Sequence, residues 1–129
     1  MRTHLPVSVI IPLFNAKLTI FRAIDSIIEQ SIKPEEVIIV DDASNDRASK
    51  NDYLKKIESI LKKNYIKTII IKNKINQGPA FSRNEGWEKA TQKFIAFLDA
   101  DDSWAKDKLS FQFNFMNNNE NLDLTCHDT

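Results

Sequence analysis

Apolar residues follow two alternating rhythms along the chain. Short unbroken runs, "VSVIIPLF" (7–14), "VIIV" (37–40), "YIKTIIIK" (65–72) and "KFIAFL" (93–98), are mostly β-branched or aromatic and are bounded by polar segments. Runs of this length and composition predict strands buried on both faces. Between them the spacing changes to three and four. In "AKLTIFRAIDSIIEQS" (16–31), Ile20, Ala23, Ile24, Ile27 and Ile28 make one apolar helix face. Leu54, Ile57, Ile60 and Leu61 do the same within about 48–63. "NQGPAFSRNEGWEKA" (76–90) predicts a loop and a helix with Pro79 at its first position, and 105–119 predicts a further helix. Asn15 is placed to cap the first helix, and "KPEE" to turn the chain before the second strand. "LDLTCHDT" (122–129) begins a fifth strand.

Strict strand–helix alternation implies right-handed crossovers and an α/β sandwich with a mostly parallel central sheet. In such sheets ligands sit at the carboxyl ends of the strands. The segments following the predicted strands are Phe14-Asn15, Asp41-Asp42, Asn73 to Gly78 and Asp99 to Asp102. Polar and acidic residues therefore collect at one edge, which is where a site is expected.

Composition narrows the possibilities. With 129 residues the chain is one domain, and 42% hydrophobic with 28% charged residues is an ordinary soluble balance. Eighteen basic and eighteen acidic side chains cancel, which disfavours a nucleic-acid partner. A lone cysteine, Cys126, fits a reducing compartment. No apolar run approaches the ~20 residues of a membrane span. The chain has only two glycines, Gly78 and Gly86, so each calls for a reason. Gly86 lies inside a predicted helix, where glycine costs about 1 kcal/mol relative to alanine, and this points to a close backbone approach.

The chemistry concentrates in "DADDSW" (99–104). Two aspartates one residue apart can present oxygens to one hard cation, and Mn2+ or Mg2+ is typically held by one or two carboxylates plus waters and phosphates. The plainer alternative is a strand-end turn in which Asp102 or Ser103 caps the next helix. Asp41 and Asp42 carry the same two readings, as nucleoside contacts at a second-strand end or as turn formers. Arg83 and Asn84 lie early on a helix that starts at this edge, where an arginine can meet a diphosphate or simply be solvated. Trp87, Trp104, Phe111, Phe113 and Phe115 read as core residues, and His127 as a structural histidine.

"VSVIIPLFNA", "SIIEQS", "VIIVDDASND", "NQGPAFSRNEGW" and "FIAFLDADDSW", in that order and spacing, resemble the nucleotide-binding half of family 2 glycosyltransferases with the GT-A fold. The resemblance covers nearly the whole chain. It implies that residues 1–129 form the nucleotide-sugar-binding half of such a domain, truncated on its C-terminal side with the acceptor-binding half absent. Pro12, Phe14 and Asn15 would line the nucleoside pocket. Asp42, with Asp41 beside it, would reach the base, uracil in uridine-type members. Arg83 and Asn84, on the helix that Gly78 precedes, would lie near the base or diphosphate. Asp99 would face the ribose or sugar. Asp101 and Asp102 would hold the Mn2+ or Mg2+ that bridges the diphosphate, either being the main ligand. The cation would then supply the counter-charge that the acidic cluster needs. The implied donor is a UDP-sugar, and the acceptor a carbohydrate or lipid-linked glycan of bacterial surface polysaccharide or lipopolysaccharide. The setting is cytoplasmic, with peripheral contact at the inner membrane face. A general base is expected beyond the chain end, because Asp123 and Asp128 fall too early. The chain alone is therefore expected to bind nucleotide weakly, if at all, and to turn over no acceptor. A half-made sheet would also favour self-association.

Three rivals share some of these residues. "DADDS" fits the haloacid dehalogenase-type pattern with Asp99 as nucleophile, but there the motif follows the first strand, and here three strands precede it. "VIIVDD" looks like the acidic pair of a receiver-type signalling module, again in the wrong strand. A non-catalytic nucleotide-binding module is the third.

Overall fold

The centre of the fold is β1 (Leu5–Leu13), flanked by β2 (Pro34–Asp41) and β4 (Phe94–Phe97), with β3 (Lys67–Lys72) outside β2. All four strands are parallel, in the order β3-β2-β1-β4. Helices α1 (Ile20–Ile28), α2 (Tyr53–Lys63), α3 (Pro79–Lys89) and α4 (Lys108–Asn118) alternate with the strands. The computed structural model describes residues 4–46 and 52–119. The fifth strand, His127, Asp123 and Asp128 lie outside the described residues.

The apolar runs are unbroken because the sheet is covered on both sides. Val9, Ile11, Leu13, Val37 and Ile39 face α1 and α2, where Ile20, Ala23, Ile24, Ile27, Leu54, Ile57 and Leu61 complete the larger core. Ile10, Ile38 and Val40 face the opposite side, beneath α3. A Cβ at Gly86 would stand 2.5 Å from Ile10 Cγ2, so glycine lets α3 settle directly on β1. The close approach anticipated from the sequence is therefore real.

Some element boundaries differ from the expectation. "KPEE" is not a turn: Pro34 opens β2 opposite Leu5, the Leu5 amide donates to the Lys33 carbonyl, and Glu36 is wholly buried. A proline is tolerated at a strand's first residue, where no ladder donor is lost. Asn15 does not cap α1. Its φ is +48°, the helix starts after Thr19, and its Oδ1 accepts from the Asn45 amide at 2.9 Å. α2 begins at Tyr53 because the Asp52 carboxylate caps the Leu54 amide at 3.0 Å. It ends in paired bonds from Tyr65 N to Lys62 O and from Ile66 N to Leu61 O, both 3.0 Å, with Tyr65 left-handed at φ +59°. That closure consumes 65–66 and delays β3 to Lys67.

The aromatic assignment is only partly right. Trp104 is buried, and Phe113 packs edge-on against Phe94 with centroids 5.4 Å apart. Trp87 (57% exposed), Phe111 (61%) and Phe115 lie on the surface instead. α3 meets the sheet through small residues, Ser82 and Gly86, which puts Trp87 on its outer side against Phe97.

At the amino ends of the strands the buried Glu36 carboxylate gathers four donors. It accepts from Ser8 Oγ (2.6 Å), the Thr91 amide and Thr91 Oγ1 (both 2.9 Å), and Lys67 Nζ stands 3.4 Å away. Burial pushes the Glu36 pKa upward, but the bonds from Ser8 and Thr91, with help from Lys67, outweigh it and hold the carboxyl below the ordinary 4.5.

Candidate functional site

The carboxyl ends of the strands keep the parallel ladder going into the loops. The Asp42 amide donates to Leu13 O and the Asn73 amide to Asp41 O, both at 2.8 Å, and Leu98 N donates to Ile10 O at 3.0 Å. The loops after β1 and β2 then bind each other. Asn15 N donates to Ser44 Oγ (2.9 Å) and Lys17 N to Asp46 Oδ2 (3.0 Å), while Ala43 takes φ +64°. The loop before α3 is tied to the same place through Asp42. Its buried carboxylate accepts from Gln77 N (2.9 Å), Gly78 N (2.8 Å) and Asn73 Nδ2 (3.2 Å), and its carbonyl accepts from Asn76 Nδ2. Gly78 has φ +95° with open space where a Cβ would be, so backbone conformation, not room, requires glycine there.

Between these loops lies a cavity of about 500 Å³, within the size range of small-ligand sites, roughly 300–1,000 Å³. Pro12, Phe14, Asp42, Gly78, Arg83, Asp99 and Asp101 all line it. These seven were singled out in sequence and come from four separate segments. The other candidates stand apart. Asp41 is buried behind the wall, where Oδ1 accepts from Ser44 N at 3.1 Å. Asn15 braces the two loops, Asn84 is exposed on α3, and Asp102 does not line the cavity.

The acidic cluster has counter-charges within the chain. Asp99 pairs with Arg83 at 3.0 Å. Asp102 Oδ1 accepts from Ser103 N at 2.8 Å, and the Asp102 charge acts on the Lys108 ammonium, whose Nζ lies 4.1 Å over the Trp104 ring. Burial lowers the Lys108 pKa, and Asp102 partly opposes that shift. Asp101 is exposed on the cavity rim. Its carbonyl, not its carboxylate, is gripped by Arg22 Nη2 at 2.8 Å. Among the described residues no three acids, histidines or cysteines cluster tightly enough to cage a metal. A cavity-lining carboxylate with another nearby in sequence does fit Mn2+ or Mg2+, which characteristically take one or two protein oxygens and complete their shell from phosphate and water.

Sequence reasoning passed over several contributors. Asn76 and Ser82 line the cavity. From α1 and its end, Arg22 clamps the acidic segment and Gln30 the stretch that leads from it into α4. Gln30 Nε2 donates to Ala105 O at 2.7 Å and Oε1 accepts from Leu109 N at 3.1 Å. Gln30 had a signal, since it continues the stripe Ile20, Ala23, Ile27 and a polar side chain there must have buried partners. Arg22, whose partner is 79 positions away, had none.

The profile of glycosyl transferase family 2 matches residues 8–127, nearly the entire chain. The chain belongs to that family. Family 2 relatives agree at the sequence level: it is 39% identical over 110 residues to the Escherichia coli UDP-Glc:alpha-D-GlcNAc-diphosphoundecaprenol beta-1,3-glucosyltransferase WfaP, covering 85% of this chain and 41% of that protein. Two solved structures share the fold. S. aureus TarS 1-349 in complex with UDP superposes with a TM-score of 0.74 at 26% identity, covering 93% of this chain and 33% of that one. The Pyrobaculum calidifontis mannosyltransferase PcManGT, in complex with GDP-Man and Mn2+, gives 0.76 at 26% identity, covering 88% and 32%. The fold is thus the GT-A type. The chain spans less than half the length of the curated relatives it matches. Among the described residues no helix is long and apolar enough to cross a membrane.

Proposed function

We propose that residues 1–129 form the donor-binding part of a glycosyltransferase that transfers a sugar from a UDP-sugar, by inverting displacement, to a carbohydrate or lipid-linked acceptor of bacterial surface polysaccharide. One observation carries this reading: a single cavity is walled by the ends of β1 and β2, the start of α3 and the D-x-D segment after β4. The related E. coli enzyme, named for a UDP-Glc donor and a diphosphoundecaprenol acceptor, supports the substrate classes and, through its lipid-linked acceptor, action at a membrane face.

In this reading the nucleoside lies between the β1 end, with Pro12 and the half-exposed Phe14 ring, and the Asp42-anchored loop. The α3 amino terminus and Arg83 meet the diphosphate, and the Asp99 carboxylate holds the guanidinium in place. Asp101 is the main metal-holding residue and Asp102 a supporting one, because only Asp101 lines the cavity. Held there, a Mn2+ or Mg2+ would supply positive charge to offset that of the departing nucleoside diphosphate. Arg22 fixes the backbone that aims Asp101.

Calorimetric titration of UDP with and without Mn2+ tests the assignment. Binding that requires Mn2+ and is lost in Asp101→Ala is the expected result. Metal-independent binding refutes the Asp101 role, and no binding of any nucleoside diphosphate refutes the donor-site reading.

A further inference from the structure

Ser82 is a cavity-lining side chain with no work to do in the protein as it stands. It is wholly buried, and its Oγ has no hydrogen-bond partner among the described residues. A helical serine either points to solvent or bonds back to the carbonyl four residues earlier. Here that carbonyl, Gly78 O, takes the Ser82 amide at 3.1 Å and not the hydroxyl. Buried hydroxyls are satisfied in the great majority of proteins, so an orphan on a cavity wall points to a ligand.

Helix geometry says which part of the cavity it faces. Ser82 lies one turn before Gly86 on the same face of α3, and Gly86 sits on Ile10. One turn along α3 is about 5.4 Å, close to the rise of two strand residues, which carries Ser82 from Ile10 toward Pro12. Pro12 and the buried Asp42 line the same cavity. This is the inner part of the wall, where the Asp42 carboxylate, already bonded to Asn73, Gln77 and Gly78, opposes a second anionic group. The charged groups Arg83, Asp99 and Asp101 are more exposed, at the rim. A neutral hydroxyl at the inner end matches a neutral planar group with an oxygen acceptor and not a phosphate.

We infer that Ser82 is a base-reading residue, its hydroxyl donating to a carbonyl oxygen of the uracil ring. This rests on the donor-site reading above. Asp42 is poorly free to do that reading alone, because its carboxylate already accepts from Asn73, Gln77 and Gly78.

The test compares wild-type chain with Ser82→Ala, using UDP and, separately, inorganic pyrophosphate, each with Mn2+. In Ser82→Ala the UDP dissociation constant should rise about five- to tenfold, the effect of one neutral hydrogen bond. Pyrophosphate affinity should not change, and the melting temperature without ligand should hold or rise, since the substitution removes an unsatisfied polar atom. Unchanged UDP affinity, or an equal fall for both ligands, overturns the inference while leaving the donor site intact. A wild-type chain that ignores UDP overturns the donor-site reading and this inference with it.

Discussion

The two ends of the sheet handle buried carboxylates in opposite ways. At the amino end, Glu36 is surrounded by Ser8, Thr91 and Lys67, and every contact is made within the fold. At the carboxyl end, Asp42 is likewise buried and bonded, but it organises loops around a cavity whose rim carries exposed Asp99 and Asp101 and whose wall holds an unpartnered Ser82 hydroxyl. A closed polar network fastens strands together. An open one leaves acceptors and donors for something that is not protein. The difference shows where the molecule spends polar groups on stability and where it reserves them.

The largest effect should come from the closed end. Glu36→Ala strands Ser8 Oγ and both Thr91 donors and should cost about 3 kcal/mol of stability in urea denaturation. Ligand affinity of the remaining folded protein should be unchanged. Next, Gly86→Ala tests the packing that joins both ends. A methyl against Ile10 should cost about 1–3 kcal/mol, offset by about 1 kcal/mol of helix propensity, so a net destabilisation is expected by thermal melting. Asp101→Ala should do the reverse of Glu36→Ala, weakening Mn2+-dependent UDP binding at least tenfold while stability stays within about 0.5 kcal/mol.

Acid sharpens the comparison further. The Glu36 carboxyl titrates below 4.5 in the folded chain. A carboxylate with a depressed folded pKa contributes stability that is complete above its unfolded pKa and is lost as pH falls through the folded one. Stability should therefore drop as pH goes below about 4.5, and Glu36→Gln should flatten that limb of the pH–stability curve. The smallest effect belongs to Arg83→Ala. Its pair with Asp99 is exposed, so the stability change should be under about 1 kcal/mol. A larger loss would mean that the rim is as structural as the floor.

Much of this organisation could be read from residue order. Unbroken β-branched runs give strands covered on both sides, and the alternation of periods gives a parallel sheet. Together they bring Pro12, Asp42, Arg83 and Asp101 to one edge. What escaped was set by contacts distant in sequence. Pro34 and Glu36 look like turn residues until Ser8 and Thr91 supply partners 28 and 55 positions away. Asn15 looks like a cap until Asn45 competes for its oxygen. Trp87 looks like core because the sequence cannot show that α3 meets the sheet on its small face. Ser82 is an ordinary serine by every local criterion, and only burial without a partner marks it out.

The order of strands also sets a sequence of events. β2 joins the central strand and β3 joins β2 over short separations, but β4 must find β1 across most of the chain, as the bond from Gln92 N to Ser8 Oγ, 84 positions apart, makes plain. Long loops close at an entropic cost that is recovered only when the pairing is made. β4 should therefore dock last, and the acidic rim that follows it can meet the α3 wall only then. A nucleotide that needs both walls would report the final folding step of this chain and hold that step closed.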